Sequence, residues 1–225
     1  MAKKVNYPVP KVRILGKGNS IFNQFISEIR DQKIQRDSMR FRRNMERMGE
    51  IFAYEISKHL TYETKLVSTP LGISKVPVLK DQPVLGTILR AGLPLHQGLL
   101  NYFDRAENAF VSAYRKHGKD GSFKIKIEYL SSPGIENKVL ILSDPMLATG
   151  SSMVLSYEAM LNRGTPRCTH IVSAIASTEG LEYAKKNLPS GLTLWVGAVD
   201  DELTAQAYIV PGLGDAGDLA FGEKI

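Results

Sequence analysis

KVLILSDPMLATGSSM, Lys138 to Met153, is the most informative stretch of this chain. Val139 to Leu142 is a continuous apolar run bounded by turn residues, as expected for a parallel strand covered on both faces. An acid, Asp144, follows at the strand's end, and a helix is predicted to start near Ser152. Between them Ala148-Thr149-Gly150-Ser151-Ser152 supplies hydroxyls, a permissive glycine and the amides of a helix start. Free amides and the positive end of a helix both favour an anion, so the turn has the outline of a phosphate cradle. It equally fits an ordinary strand–turn–helix connection with a capping hydroxyl. Asp144 falls where open α/β sheets bind their ligands.

Working outward, the same alternation continues on both sides. Downstream, Thr169–Ala176 and Leu192–Val199 read as strands, and Glu179–Asn187 as the helix between them. Upstream, Val84–Leu89 is a short apolar strand followed at once by Arg90-Ala91-Gly92 and a helix with Leu93, Leu95, Leu99 and Leu100 facing inward. Arg90, beside a glycine and a helix start, offers a second phosphate site or a plain surface arginine. Ala109–Tyr114 and Phe123–Tyr129 are strands flanking the polar loop Lys116–Ser122, either a lid over an anionic substrate or a solvent loop. Strands alternating with helices of this length call for a parallel sheet with right-handed crossovers.

The N-terminal part differs. Residues 1–20 show no period and are predicted to form an extended arm, before a helix over Ile21–Arg30. A stronger helix is predicted over Arg36–Leu60, its apolar face carrying Phe41, Met45, Met48, Phe52, Ile56 and Leu60. Arg40, Arg42, Arg43 and Arg47 take the other faces, as a solvated surface or as an anion site. Thr61–Lys80, broken by Pro70, Gly72 and Pro77, reads as short strands or an arm. Ala207–Gly222 holds four of the nineteen glycines, which marks a loop of specified shape whose main chain can approach a ligand closely.

Composition sets the outer limits. In 225 residues, 43% are hydrophobic and 23% charged, as in an ordinary globular protein with a sizeable core. No apolar run approaches the roughly 20 residues needed to span a bilayer, and residues 1–15 lack a secretory pattern. The single cysteine, Cys168, excludes an internal disulfide framework and reads as a small core residue. A cytoplasmic protein is the expectation. The net charge of +6 suits a protein that handles anions. Aromatics are not interleaved with the basic residues, which weakens a nucleic-acid surface.

Three motifs, in order, carry a resemblance. ILRAGL at Ile88–Leu93, DPMLATGSS at Asp144–Ser152 and YIVPGLGDAGD at Tyr208–Asp218 together resemble the uracil phosphoribosyltransferase family. The arginine-rich helix running into Leu60-Thr61-Tyr62-Glu63 is also similar to that family. The D-x-x-x-x-T-G turn alone would point to phosphoribosyltransferases in general; the GLGDAGD element suggests uracil.

The resemblance implies an α/β type I phosphoribosyltransferase fold, with a parallel twisted sheet flanked by helices, a flexible loop near Lys116–Lys124 and a C-terminal base-binding hood. It implies one domain over 1–225: N-terminal helices and arm over 1–80, core over 81–200, hood over 201–225. The implied reaction joins uracil to 5-phosphoribosyl 1-pyrophosphate, giving UMP and pyrophosphate in pyrimidine salvage. By the match, Ala148, Thr149, Gly150, Ser151 and Ser152 would hold the donor's 5′-phosphate, with Pro145, Met146 and Leu147 in the same donor-binding stretch. Asp144 would hold the ribose hydroxyls. Arg90 and Arg115 match pyrophosphate contacts, and Asp215 a position near donor and metal. These four are the expected catalytic set. Tyr208, Ile209, Gly214, Asp215 and Ala216 would receive uracil, largely through main chain. Mg2+ would be carried mainly by the donor. Some members are activated by GTP, which the basic helix would permit. A homo-oligomer, at least a dimer, is expected, with no membrane and no nucleic-acid partner.

Two departures stand out. Ser151 replaces the second glycine of the usual T-G-G-S turn, which would restrict the backbone, and Pro94-Leu95-His96-Gln97 replaces a glycine-methionine stretch with an acid. His96 is expected at the surface or an interface. Rival readings are a phosphoribosyltransferase for orotate or a purine, and an RNA-binding regulator on the same fold.

Overall fold

In the computed structural model, residues 10–117 and 123–223 are described, the side chains of 113–126 excepted. The chain begins with a short strand, β1 (Lys11–Ile14), then α1 (Ile21–Arg30) and α2 (Ser38–Ser57). A hairpin of β2 (Tyr62–Thr69) and β3 (Gly72–Leu79) follows, then β4 (Val84–Leu89), α3 (Leu93–Tyr102), β5 (Glu107–His117) and β6 (Phe123–Ser131). The informative stretch supplies β7 (Val139–Ser143), β8 (Met146–Leu147) and α4 (Ser151–Met160). Last come β9 (Cys168–Ser177), α5 (Thr178–Asn187), β10 (Thr193–Asp200), β11 (Glu202–Leu203), β12 (Ile209–Val210) and α6 (Ala216–Phe221).

The main sheet has the order β1-β10-β9-β7-β4-β5-β6, with β8 added beside β9. All pairings are parallel except β5 with β6. Alternate side chains of each strand serve opposite layers. Leu85 and Ile141 pack with Phe41, Met45 and Phe52 beneath α1, α2 and α3. Val84, Leu140 and Leu142 pack with Met153, Met160 and Leu181 beneath α4 and α5. Both faces are covered, so the strands read as continuous apolar runs rather than alternating ones.

Helix starts follow local chemistry. Ser20, Asp37 and Ser177 accept from Phe22 N, Arg40 N and Gly180 N, capping α1, α2 and α5. Helices α2 and α3 cross backbone to backbone: a Cβ on Gly98 would lie 1.9 Å from the Glu46 carbonyl oxygen, and one on Gly49 2.3 Å from that of Leu95.

Several expectations need correction. The arm expected over residues 1–20 contains β1, which pairs in parallel with β10 at the sheet edge. Leu93 is exposed rather than inward-facing, because α3 turns Leu95 and Leu99 to the core. His96 is buried at 4% exposure with its ring 5.4 Å from Phe110. It shares the inward side of α3 with Leu95, so helix phase overrides its polar character. The arginines of α2 are not simply solvated: Arg42 donates to Ala220 O at 2.6 Å, and Arg47 lies over Phe25. Of the polar loop expected over Lys116–Ser122, Lys116 and His117 belong to β5, and 118–122 lie outside the described residues. Among the described residues, no helix is long and apolar enough to cross a membrane.

At the far end of the sheet, His170 is buried and accepts from Trp195 Nε1 at 3.1 Å. Burial, with smaller contributions from the charges of His59 and Arg13, pushes its pKa down to about 4. The folded state therefore favours neutral His170. Its stabilising contribution is present above the unfolded value near 6.5 and lost as pH falls from there to about 4, amounting to about 3 kcal/mol. His170→Gln should remove that loss. Urea unfolding of both proteins at pH 7.5 and 4.5 checks this, and equal losses in both would refute it.

Candidate active site

The strand order reverses direction between β4 and β7. From β4 the chain crosses to β5 on one side, and from β7 to β9 on the other. The crevice outside the carboxyl ends of two such strands is where open α/β sheets take ligands. Here Thr87 is opposite Ser143, and the two strands are cross-tied by Ser143 Oγ donating to Gly86 O at 3.1 Å. One residue beyond the ends of β4 and β7 lie Arg90 and Asp144. A cavity of about 740 Å³ opens there, lined by residues 88–91, 144, 146–150, 152–153, 206–209 and 214–217, with Ser112.

Asp144 opens one wall. Its Oδ1 accepts a long bond from Met146 N at 3.4 Å, and its own carbonyl accepts from Ser173 Oγ at 2.7 Å. Burial pushes its carboxyl up to about 7, against the weaker pull of the Met146 amide. A carboxyl in this state gains from ligand groups that donate to its charged form.

The Ala148–Ser152 turn forms the floor. Gly150 takes φ 77°, and a Cβ there would meet the Gly180 carbonyl oxygen at 2.7 Å. Ser151 already belongs to α4, with its Oγ 2.7 Å from Thr149 Oγ1. The restriction expected of Ser151 therefore does not arise, because Gly150 alone takes the left-handed conformation. Gly150 supplies no side-chain cap to α4; Thr149 Oγ1 accepts a long bond from Ser151 N at 3.5 Å, and the following amides have no intrahelical acceptor. The turn is braced from behind: Ser177 Oγ donates to Ala148 O at 2.5 Å and accepts from Gly180 N at 2.8 Å. A Cβ on Gly180 would lie 2.2 Å from Ala148 O, so α5 touches the turn directly.

The opposite wall is the C-terminal segment. It was expected to be loop, but it contains the β11–β12 ladder, in which Leu203 pairs Ile209, and helix α6. Asp215 caps α6, its Oδ1 accepting from Gly217 N at 2.8 Å and Asp218 N at 2.9 Å. Arg90 Nη2 donates to Asp218 Oδ1 and to Gly222 O, both at 2.7 Å. Arg90 Nε is buried without a partner among the described residues, a donor left for an incoming acceptor.

Of the expected site residues, Arg90, Asp144, Met146, Leu147, Ala148, Thr149, Gly150, Ser152, Tyr208, Ile209, Gly214, Asp215 and Ala216 share this one cavity. Pro145 is buried, its carbonyl accepting from Ile175 N at 3.0 Å, and does not line the cavity. Ser151 stands beside the cavity lining, bonded to Thr149. Arg115 lies on β5 opposite Ile125, and its side chain is outside the described part of the structure. Sequence reading did not single out Gly180 and Ser177, which brace the turn; the S-T-E-G helix start at Ser177 was the available signal.

The family model for uracil phosphoribosyltransferase matches residues 18–223. The chain belongs to the uracil phosphoribosyltransferase family. Among curated relatives, a uracil phosphoribosyltransferase of Porphyromonas gingivalis is 56% identical over 211 residues, covering 94% of this chain and 98% of that one. One from Pyrococcus furiosus is 38% identical, covering 90% and 86%. A solved structure of an Aquifex aeolicus protein superposes with a TM-score of 0.83 at 27% identity, over 95% of this chain and 99% of that one. The orotate phosphoribosyltransferase of Mycobacterium tuberculosis, solved with 5-phospho-α-D-ribosyl 1-diphosphate, shares the fold at a TM-score of 0.51 and 11% identity, covering 83% and 95%. The mostly parallel sheet is thus that of the type I phosphoribosyltransferases, and membership of the uracil phosphoribosyltransferase family extends over nearly the whole chain.

Proposed function

We propose that this uracil phosphoribosyltransferase family member forms UMP and pyrophosphate from uracil and 5-phosphoribosyl 1-pyrophosphate in the cavity between β4 and β7. One observation supports the reading: a hydroxyl-bearing turn at the start of α4 and a glycine-rich C-terminal segment line the same cavity. The 5′-phosphate is taken by the turn amides and by the hydroxyls of Thr149 and Ser152, with Ser151 Oγ supporting Thr149 Oγ1 from beside the cavity. The ribose hydroxyls donate to Asp144. Arg90 and Arg115 receive the pyrophosphate, Arg90 through a guanidinium that can grip two oxygens at once. The transition state is oxocarbenium-like, so positioning and stabilisation of the departing pyrophosphate supply most of the rate.

Uracil is taken by Tyr208, Ile209, Gly214, Asp215 and Ala216. Main-chain donors and acceptors there discriminate against cytosine by leaving one polar group unpaired. Arg90 is the only cation among the described lining residues. A base carrying its own carboxylate would compete with pyrophosphate for it, which disfavours orotate.

The residues fit Mg2+ carried by the donor. Asp144 and Asp215 bring hard oxygens to the cavity, while no cluster of three or more metal-binding side chains occurs among the described residues. When bound, the ion would neutralise pyrophosphate charge. GTP activation remains a separate proposal resting on the basic α2. Mixing protein, Mg2+, donor and each base in turn should give UMP from uracil, with cytosine, orotate and hypoxanthine far slower. Donor binding without any nucleobase product would sink the assignment.

The β2–β3 hairpin supports self-association. Its strands are exposed along almost their whole length, and Leu71 at its tip is 100% exposed, with Leu66 and Ile73 nearby. A lone two-stranded ribbon is marginally stable in water, and an apolar one gains by docking on a second copy. Replacing Leu66 and Ile73 by Asp should lower the mass seen by light scattering at micromolar protein. An unchanged mass would place the contact elsewhere.

A further inference from the structure

The C-terminal wall is held from behind by an ion pair that touches neither the turn nor the cavity. Arg30 ends α1, and Asp200 ends β10. Arg30 Nη1 donates to Asp200 Oδ2 at 2.8 Å, and Nη2 donates to Asp200 Oδ1 at 2.7 Å. The same pair grips one residue of the wall by both peptide groups. Arg30 Nη1 donates to Gly212 O at 2.9 Å, and Asp200 Oδ2 accepts from Gly212 N at 2.9 Å. Asp200 is 7% exposed and Arg30 21%.

Gly212 must present main chain alone, because its φ is +53° and a Cβ would fall 2.1 Å from Ile209 O. It stands between the two parts of the wall that reach the cavity, Ile209 before it and Gly214–Ala216 after it. The next residue is held in the same way. The Gln35 amide, oriented to satisfy its hydrogen bonds, donates to Leu213 O at 2.8 Å. A bidentate guanidinium–carboxylate pair fixes angle as well as distance, which a packed apolar contact does not.

We propose that Arg30 and Asp200 are positioning residues for base selection. By fixing Gly212 they set the spacing between Ile209 and Gly214–Ala216. That spacing decides whether a small flat base meets a matched donor and acceptor set. The inference rests on the reading that this wall receives uracil. It assigns the α1 end and the β10 end a role in uracil affinity, with none in donor affinity. The Asp200 carboxylate bonds to neither the turn nor Asp144; its main chain lies beside the α5 brace, pairing Ser177 in the ladder and accepting from Thr178 Oγ1 at 3.4 Å, contacts that a side-chain substitution leaves in place.

The test compares wild type with Arg30→Lys, which keeps the charge but loses the fork, and with Asp200→Asn. KM for uracil, KM for the donor, kcat, the uracil-to-cytosine preference and the melting temperature are measured on each. Uracil KM should rise about tenfold or more and the preference over cytosine should shrink, with donor KM changing no more than about twofold. Should either single variant fold poorly, the double variant Arg30→Met with Asp200→Leu removes both charges together and carries the same expectation. A merely structural pair would lower the melting temperature and leave the ratio of the two KM values unchanged; that result overturns the proposal. Wild type that converts no uracil overturns the underlying assignment, and active wild type with insensitive variants overturns this inference alone.

Discussion

Asp144→Asn should lower UMP formation by about two to four orders of magnitude while making the substrate-free protein more stable at neutral pH. Both effects come from one cause. Burial holds the Asp144 carboxyl near 7 rather than in the ordinary carboxylate range. The folded state therefore binds this proton more tightly than the unfolded chain does. Its contribution to stability is greatest below the unfolded value of 3.8 and is lost as pH rises through about 7. The ceiling on that loss is about 4 kcal/mol, and an opening to water reduces the expected gain in the variant to about 1–3 kcal/mol. Asparagine is neutral and similar in shape, so it escapes the loss, but it cannot accept two ribose hydroxyls as a carboxylate does. Wild-type donor affinity should correspondingly climb as pH rises through 7, as the charged form becomes available, and the variant should show no such climb. Steady-state kinetics and thermal melts from pH 5 to 8.5 read all of this together. Near-normal turnover in Asp144→Asn would remove the ribose assignment.

Gly180→Ala should raise donor KM by about fiftyfold or more, although residue 180 does not line the cavity. Its new Cβ would fall 2.2 Å from Ala148 O and 2.5 Å from Leu147 O. Both obstacles are backbone, so no rotamer change relieves them, and either α5 or the Ala148–Ser152 turn must move. With the 5′-phosphate seated there as proposed, moving the turn would spoil the alignment of its amides with the phosphate oxygens. Uracil KM at saturating donor should change far less. Isothermal titration with the donor checks the binding term directly, and unchanged donor affinity would show that the turn does not depend on its brace.

Much of the fold was legible because its strands are short, apolar and flanked by turn chemistry. Val84–Leu89 and the 138–153 stretch announce both strands of the switch point, and the α1 helix was read to the residue. Most of the cavity-lining residues were visible too, since Asp144, Gly150 and the GLGDAGD element are local features. What escaped was tertiary. Lys11–Ile14 has no sequence period, and it becomes a strand only because the exposed edge of β10 accepts it. Helix α6 was hidden by Gly217 and the glycines that flank it, whereas the structure shows that Asp215 caps it through two amides. His96 looked like a surface residue because its burial depends on the neighbouring strand, which composition cannot show. The brace by Ser177 and Gly180 joins positions almost thirty residues from the turn, beyond any local pattern.

The glycine-on-glycine crossing of α2 and α3 also bears on how this sequence can drift. Substitutions in a core are ordinarily rescued when a facing side chain shrinks to make room. At Gly49 and Gly98 nothing facing can shrink, since the Cβ added at either would strike a carbonyl oxygen or the other glycine's Cα. No second change compensates for a first one there. Neutral variation along both helices is thereby confined to the faces turned away from the crossing, while the helix that starts just after Arg90 keeps its seat.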